Sequence, residues 1–358
     1  MAALNTLEHH SGLHQGAIYA LLAAALFGAS TPFAKSLLGQ VAPVALAGML
    51  YMGSGLGLLL FYLIRRGSKA ERAGLTAKDW PWLGGAILAG GVAGPVLLML
   101  GLTTTPASSA SLLLNMEGVL TSLLAWFVFK ENFDRRIFVG MLLIVAAGVL
   151  LSWDQATTHG MPTGALAIVG ACLCWGIDNN LTRKVSASDA VQIACAKGLV
   201  AGTVNLSIAA ALGQPLPGVS ITLSAGLIGF CGYGLSLVMF VLALRHLGTA
   251  RTGAYFSAAP FVGAVISLLM LGEQPQSAFW LAAALMGAGI WLHLTESHAH
   301  EHQHEVMDHS HAHTHDAHHQ HAHDFDWDGA EPHVHAHHHA ALTHAHKHYP
   351  DIHHQHKH

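Results

Sequence analysis

The chain has 358 residues, 52% of them hydrophobic and only 10% charged, with a formal charge of −4. Ordinary globular domains carry about 25% charged residues. The balance here excludes a conventional soluble domain, and nothing basic enough to suggest a nucleic-acid partner stands out.

Crossing a bilayer takes about 20 mostly apolar residues. Ten such runs lie between Gly16 and Leu294, at roughly 17–36, 42–64, 81–102, 107–129, 136–152, 163–182, 190–212, 219–244, 250–271 and 277–294. The fold class expected is therefore an all-α membrane protein with ten transmembrane helices. The first sixteen residues hold no Lys or Arg. A secretory signal wants a positive segment ahead of its apolar stretch, so the first run is expected to stay as a membrane helix behind a short N-terminus, residues 1–16.

Orientation follows from the Lys and Arg of the short loops. The side holding the N-terminus receives twelve, among them Arg65, Lys69, Lys78, Lys130, Arg135, Arg183, Lys184 and Arg245, and the opposite side receives Lys35 alone. The basic side is expected to be the cytoplasm, with both termini inside. Cys172, Cys174, Cys195 and Cys231 all fall in runs and are expected to pack as small apolar residues. Many of the glycines also lie in runs, where small residues let helices approach closely. Pro32 and the pair Gly94-Pro95 are places where a helix can break and expose backbone to a cavity. His246 and His293 are expected near helix ends.

Few polar residues stand where lipid should be, and buried charge in a membrane is usually functional. Glu117 sits about ten residues into the fourth run, close to Asn115. A carboxyl in apolar surroundings can exchange a proton during a transport cycle. Asp178, Asn179 and Asn180 follow one another near the end of the sixth run, sweeping about 200° of a helix face, and can hold a cation or an amine. Lys197, about two turns into the seventh run, can counter either acid or snorkel to the interface. Tyr51 and Asn205 are weaker candidates. No phosphate loop and no Ser-His-Asp arrangement occurs, so no enzyme is expected.

The chain also repeats. "LFGASTPFAKSL" from Leu26 lies over "CWGIDNNLTRKV" from Cys174, and "GVLTSLLAWFVFKE", ending at Glu131, lies over "PFVGAVISLLMLGE", ending at Glu273. Five runs per half force the halves into opposite orientations. Inverted repeats are a mark of secondary transporters, with the site at the interface of the halves. The two halves, 17–152 and 163–294, each opening on aromatic-Gly and closing on "FKE" or "LGE", resemble two EamA domains of the drug/metabolite transporter superfamily. "SAAPFVGAVISLLMLGEQP" is the most similar segment, while the first half has Gly118 where the pattern places Pro260. The resemblance implies a ten-helix bundle with a central cavity and cytoplasmic ends. It leaves the cargo open.

The last region, 296–358, carries ten acids against two lysines and contains 24 of the 30 histidines. It has little to bury and is expected to be disordered. His-rich tracts commonly bind metal. Candidate ligands are His298, His300, His302, His304, His309, His311, His313, His315, His318, His319, His321, His323, His333, His335, His337, His338 and His339. Neutral imidazole suits Zn, Ni, Co or Cu, and binding should fail below about pH 6. The body requires no cofactor.

The leading expectation is a multi-pass secondary transporter of the bacterial inner membrane. It would export a small organic metabolite or drug with proton coupling and carry a metal-binding cytoplasmic tail. The alternative is a Ni, Co or Zn efflux carrier loaded by that tail. A membrane-tethered metal store without transport fits the repeat poorly. Partners expected are the lipid bilayer, the small-molecule or cation cargo and divalent metal on the tail, with a homodimer left open.

Overall fold

The computed structural model describes residues 2–65, 75–129, 135–159, 163–185, 188–240, 242–243, 252, 255–294, 298–304, 307–313, 333–339 and 342–348. Its body is a bundle of helices. They are α1 (Ala2–Leu37), α2 (Pro43–Arg65), α3 (Trp80–Ala86), α4 (Gly94–Thr104), α5 (Ala107–Leu113), α6 (Met116–Phe129), α7 (Arg135–His159), α8 (Thr163–Arg183), α9 (Ala190–Ala211), α10 (Val219–Gly229), α11 (Ala259–Leu271) and α12 (Ser277–Leu294). Among the described residues, eight helical stretches are long and apolar enough to cross a membrane, from Gln15–Leu37 to Val219–Phe240, against the ten runs expected, and Ala259–Leu271 and Ser277–Leu292 are shorter apolar helices. The run expected at 250–271 is described mainly from Tyr255 onward. Glu131, Lys130, Arg245 and His246 lie outside the described residues.

Leu60, Ile64, Leu223 and Leu269 face outward, as a bundle solvated by hydrocarbon requires. The interior is built from Leu46, Leu50, Leu98, Leu102, Leu113 and Ile168 together with many alanines. Helices approach where a side chain is missing. α2 runs along α9, and a Cβ on Gly55 would sit 2.5 Å from the backbone nitrogen of Leu199. Only glycine allows that spacing, so this crossing is held by backbone contact.

Two spans depart from the α-helix. Between α3 and α4 the residues Ile87–Ala93 wind as a π-helix, and a second π segment, Phe230–Leu235, follows α10. The first stands just before the Gly94-Pro95 pair, where a break was expected. Pro32, in contrast, stays inside α1.

His298–His304 (β1) pairs antiparallel with Leu342–His348 (β4), and Met307–His313 (β2) pairs with His333–His339 (β3). The alternation His-x-His has the period of a strand, which is why the segment takes extended backbone without a core. His315, His318, His319, His321 and His323 lie outside the described residues.

Candidate functional site

The polar centre grows from the π-helix in the third span. A π turn bonds residue i to i−5, and here the Gly94 amide reaches Ala89 rather than Gly90. The Gly90 carbonyl is left free. Proline at 95 likewise has no N–H to offer Gly91 four residues back. In a bilayer such groups must find partners within the protein. Gly90 accepts from the Tyr51 hydroxyl at 2.8 Å and from Trp175 Nε1 at 2.9 Å, and Gly91 accepts from Asn205 Nδ2 at 3.1 Å. Side chains from α2, α8 and α9 thus converge on one distorted turn.

Asp178 lies against the same turn. A Cβ on Gly90 would fall 2.0 Å from its Oδ2, so glycine is needed there. Lys197 Nζ donates to both carboxylate oxygens, at 2.6 and 2.7 Å. Thr182, one turn on, donates to Oδ1 at 2.8 Å. The pair is largely enclosed, the side chains being 14% and 8% exposed for Lys197 and Asp178. A buried pair satisfied in this way is costly to break, because removing one partner strands the other charge.

Glu117 is placed differently. α5 and α6 are separated by a turn at Leu114 and Asn115 with i to i−3 bonds, the Glu117 amide reaching the Leu114 carbonyl at 3.0 Å. The break brings Glu117 into the first turn of α6, where Asn179 Nδ2 donates to its Oε1 at 2.8 Å. Among the described residues it has no ion-pair partner. It still senses the neighbouring pair, Asp178 repelling and Lys197 attracting it. Asn180 ties α8 to α6 through the Thr121 carbonyl at 3.2 Å and bonds Gly176 at 2.8 Å.

The expected residues thus divide. Glu117, Asp178, Asn179, Asn180 and Lys197 meet along α6, α8 and α9. Asn115 does not join them. Its amide is spent on the Leu112 carbonyl at 2.9 Å and points toward Met286 Sδ at 3.5 Å. Trp175, Thr182 and Gly90 were not singled out beforehand. Thr182 follows Asp178 at the i, i+4 helical spacing, a signal that was available. An aromatic wall of Tyr51, Tyr233, Phe27 and Phe256, with ring centroids 5.4 to 6.0 Å apart, stands beside the polar centre. Tyr233 comes from the second π segment.

A polytopic helical bundle with broken spans and charged side chains enclosed at their meeting point defines a membrane transporter. The chain belongs to the EamA-like transporter family, whose pattern matches twice, over residues 14–153 and 162–295. An uncharacterized transporter of Methanothermobacter thermautotrophicus is 27% identical over 77% of this chain and 85% of its own length. A probable terminal-alkyne amino-acid exporter of Streptantibioticus cattleyicolor is 27% identical over 60% of this chain and 73% of its own. A probable 4-amino-4-deoxy-L-arabinose-phosphoundecaprenol flippase subunit of Pseudomonas aeruginosa is 47% identical over 20% of this chain and 60% of its own. A solved crystal structure superposes with a TM-score of 0.57 at 20% identity, covering 79% of this chain and 95% of that one, which speaks for the fold.

Proposed function

We propose that the protein exports a small organic metabolite or drug across the bacterial inner membrane in exchange for protons, with both termini cytoplasmic and two inverted five-helix halves. The observation that carries this reading is the contrast between Glu117, held by an amide, and Asp178, held by an ammonium. A carboxyl without a fixed counter-ion can gain or lose a proton as its surroundings change. It can equally take the cationic group of a cargo. The aromatic wall offers apolar surface for the rest of an organic molecule. π segments in the third and eighth spans agree with a repeat of halves, and the names of two relatives include an exporter and a flippase.

The second reading is export of a transition-metal cation loaded from the tail. The cross-strand register supports metal binding by the tail. His300 stands opposite His346, His302 opposite His344, His309 opposite His337 and His311 opposite His335. Opposed positions in a ribbon place Cβ atoms about 4.5–5.5 Å apart. The body favours the organic cargo, because Lys197 occupies both oxygens of Asp178.

The test uses purified full-length protein in proteoliposomes with a pH-sensitive dye inside and a panel of amines, amino acids and cationic drugs outside. One compound class should move protons in wild type and not in Glu117→Gln. Parallel assays of Zn, Ni, Co and Cu, with and without truncation after Ser297, separate the readings. Metal flux that requires both the tail and Glu117 would replace the organic cargo with a cation.

A further inference from the structure

At the end of the bundle away from Lys78, Arg135 and Lys184, one loop is gripped from two sides. The loop joins α4 to α5 across Thr105 and Pro106. Lys35, near the end of α1, donates to the carbonyls of Leu102 and Thr105, the latter at 3.1 Å. Glu273, just beyond α11, accepts from the amides of Ala107 and Ser108 at 2.7 and 2.9 Å through its two oxygens. The cation thus sits at a helix C-terminus and the anion at a helix N-terminus, where the backbone dipoles favour each. The two charges also attract across the loop. Gly272, at φ 63°, turns the chain beyond α11 so that Glu273 comes next. Lys35 comes from the first half of the chain and Glu273 from the second.

The grip closes over groups that lack partners. The hydroxyls of Thr105 and Ser111 have no hydrogen-bond partner among the described residues, and the two residues are 0% and 1% exposed. Ser111 faces a narrow cleft with Phe27, Thr31, Leu114 and Pro260. Buried hydroxyls are nearly always satisfied. Two enclosed hydroxyls beside a charged clasp would gain water as a partner if this end of the bundle opened.

We propose that Lys35 and Glu273 form a latch on the α4–α5 loop that shuts this end of the bundle and releases when the protein opens there. The latch rests on the transporter reading only in needing a passage to close. Charge-assisted bonds are the strong ones, and both anchors are single side chains at helix ends, so the latch can release without unfolding a helix. Opening parts α5 from α11 at the cleft and exposes Ser111.

Labelling with a membrane-impermeant maleimide tests this in intact cells expressing the full chain, with no cargo needed. The reporter is Ser111→Cys, and the parent chain supplies the background from its four cysteines. Cys172, fully buried, reports global unfolding. Adding Glu273→Gln should raise labelling at Ser111→Cys roughly tenfold, the factor that follows from about 1.4 kcal/mol, with Cys172 still unlabelled. Lys35→Met should act in the same direction. Unchanged labelling at Ser111→Cys overturns the latch. A rise shared equally by Cys172 also overturns it, because the contacts are then a structural staple. Neither result depends on Glu117 or on proton movement, so failure of the latch and failure of the transport reading are distinguishable.

Discussion

Two carboxylates lie along α6 and α8, and their surroundings give them opposite characters. Asp178 has an ammonium on both oxygens, a threonine hydroxyl on one and a glycine cut to fit it. Glu117 has one amide, supplied by Asn179, at the first turn of an interrupted span. The first arrangement is saturated and fixes α8 to α9 and to the π turn. The second has spare capacity. One group holds the scaffold in register, and the other keeps capacity for a further partner.

The contrast is broken most severely at Lys197. Lys197→Met strands the Asp178 charge, and loss of a buried partner costs about 3–5 kcal/mol. Thermal unfolding in detergent should show a large fall, and Asp178→Asn added to Lys197→Met should restore most of it. An unchanged melting temperature would remove the pair from the scaffold. Gly90→Ala comes next. Its methyl collides with Asp178 and, like other overpacked sites, should cost about 1–3 kcal/mol, measured the same way. Asn205→Leu removes the donor to the Gly91 carbonyl beside Pro95 and should cost about 1–3 kcal/mol, near the lower end because Asn205 Oδ1 has no partner among the described residues. The smallest effect on stability is expected at Glu117→Gln, within about 1 kcal/mol, because the new amide still accepts from Asn179. That variant should nonetheless lose proton-coupled flux. A variant that melts normally and transports normally would assign Glu117 to packing.

Much of this arrangement was legible in the sequence. Hydropathy placed an apolar run over each of the eight described stretches long enough to cross a membrane, since a bilayer admits little besides long apolar helices, but it did not show that the first helix begins as early as Ala2. The scarcity of charge made Glu117, Asp178 and Lys197 conspicuous, but depth alone left Lys197 able to counter either acid, and the structure gives it to Asp178. Other features were hidden for physical reasons. Asn115 stands two residues from Glu117, yet the turn between α5 and α6 sends it toward Met286, and sequence spacing cannot show such a turn. A π segment has no residue pattern of its own, so Gly94-Pro95 announced a break without its form. The contact of Gly90 with Asp178 joins positions far apart in the chain. Glu273 was read as the close of a helix and Lys35 as the single basic residue of its side, but the loop that they share lies between two other spans.

The π turn of the third span has one consequence for any change in chain length. Ile87–Ala93 behaves as an α-helix that carries one residue too many. Deleting Gly91, Val92 or Ala93 would bring Gly94 to four residues from Ala89, so that the bond between them would close an ordinary α turn. Residues on the two sides of the deletion would also rotate relative to one another by about 100°. A shorter and more regular span would then be a less functional one. Length variants of this segment, unlike substitutions, would measure how far the central cluster depends on an irregularity of the main chain.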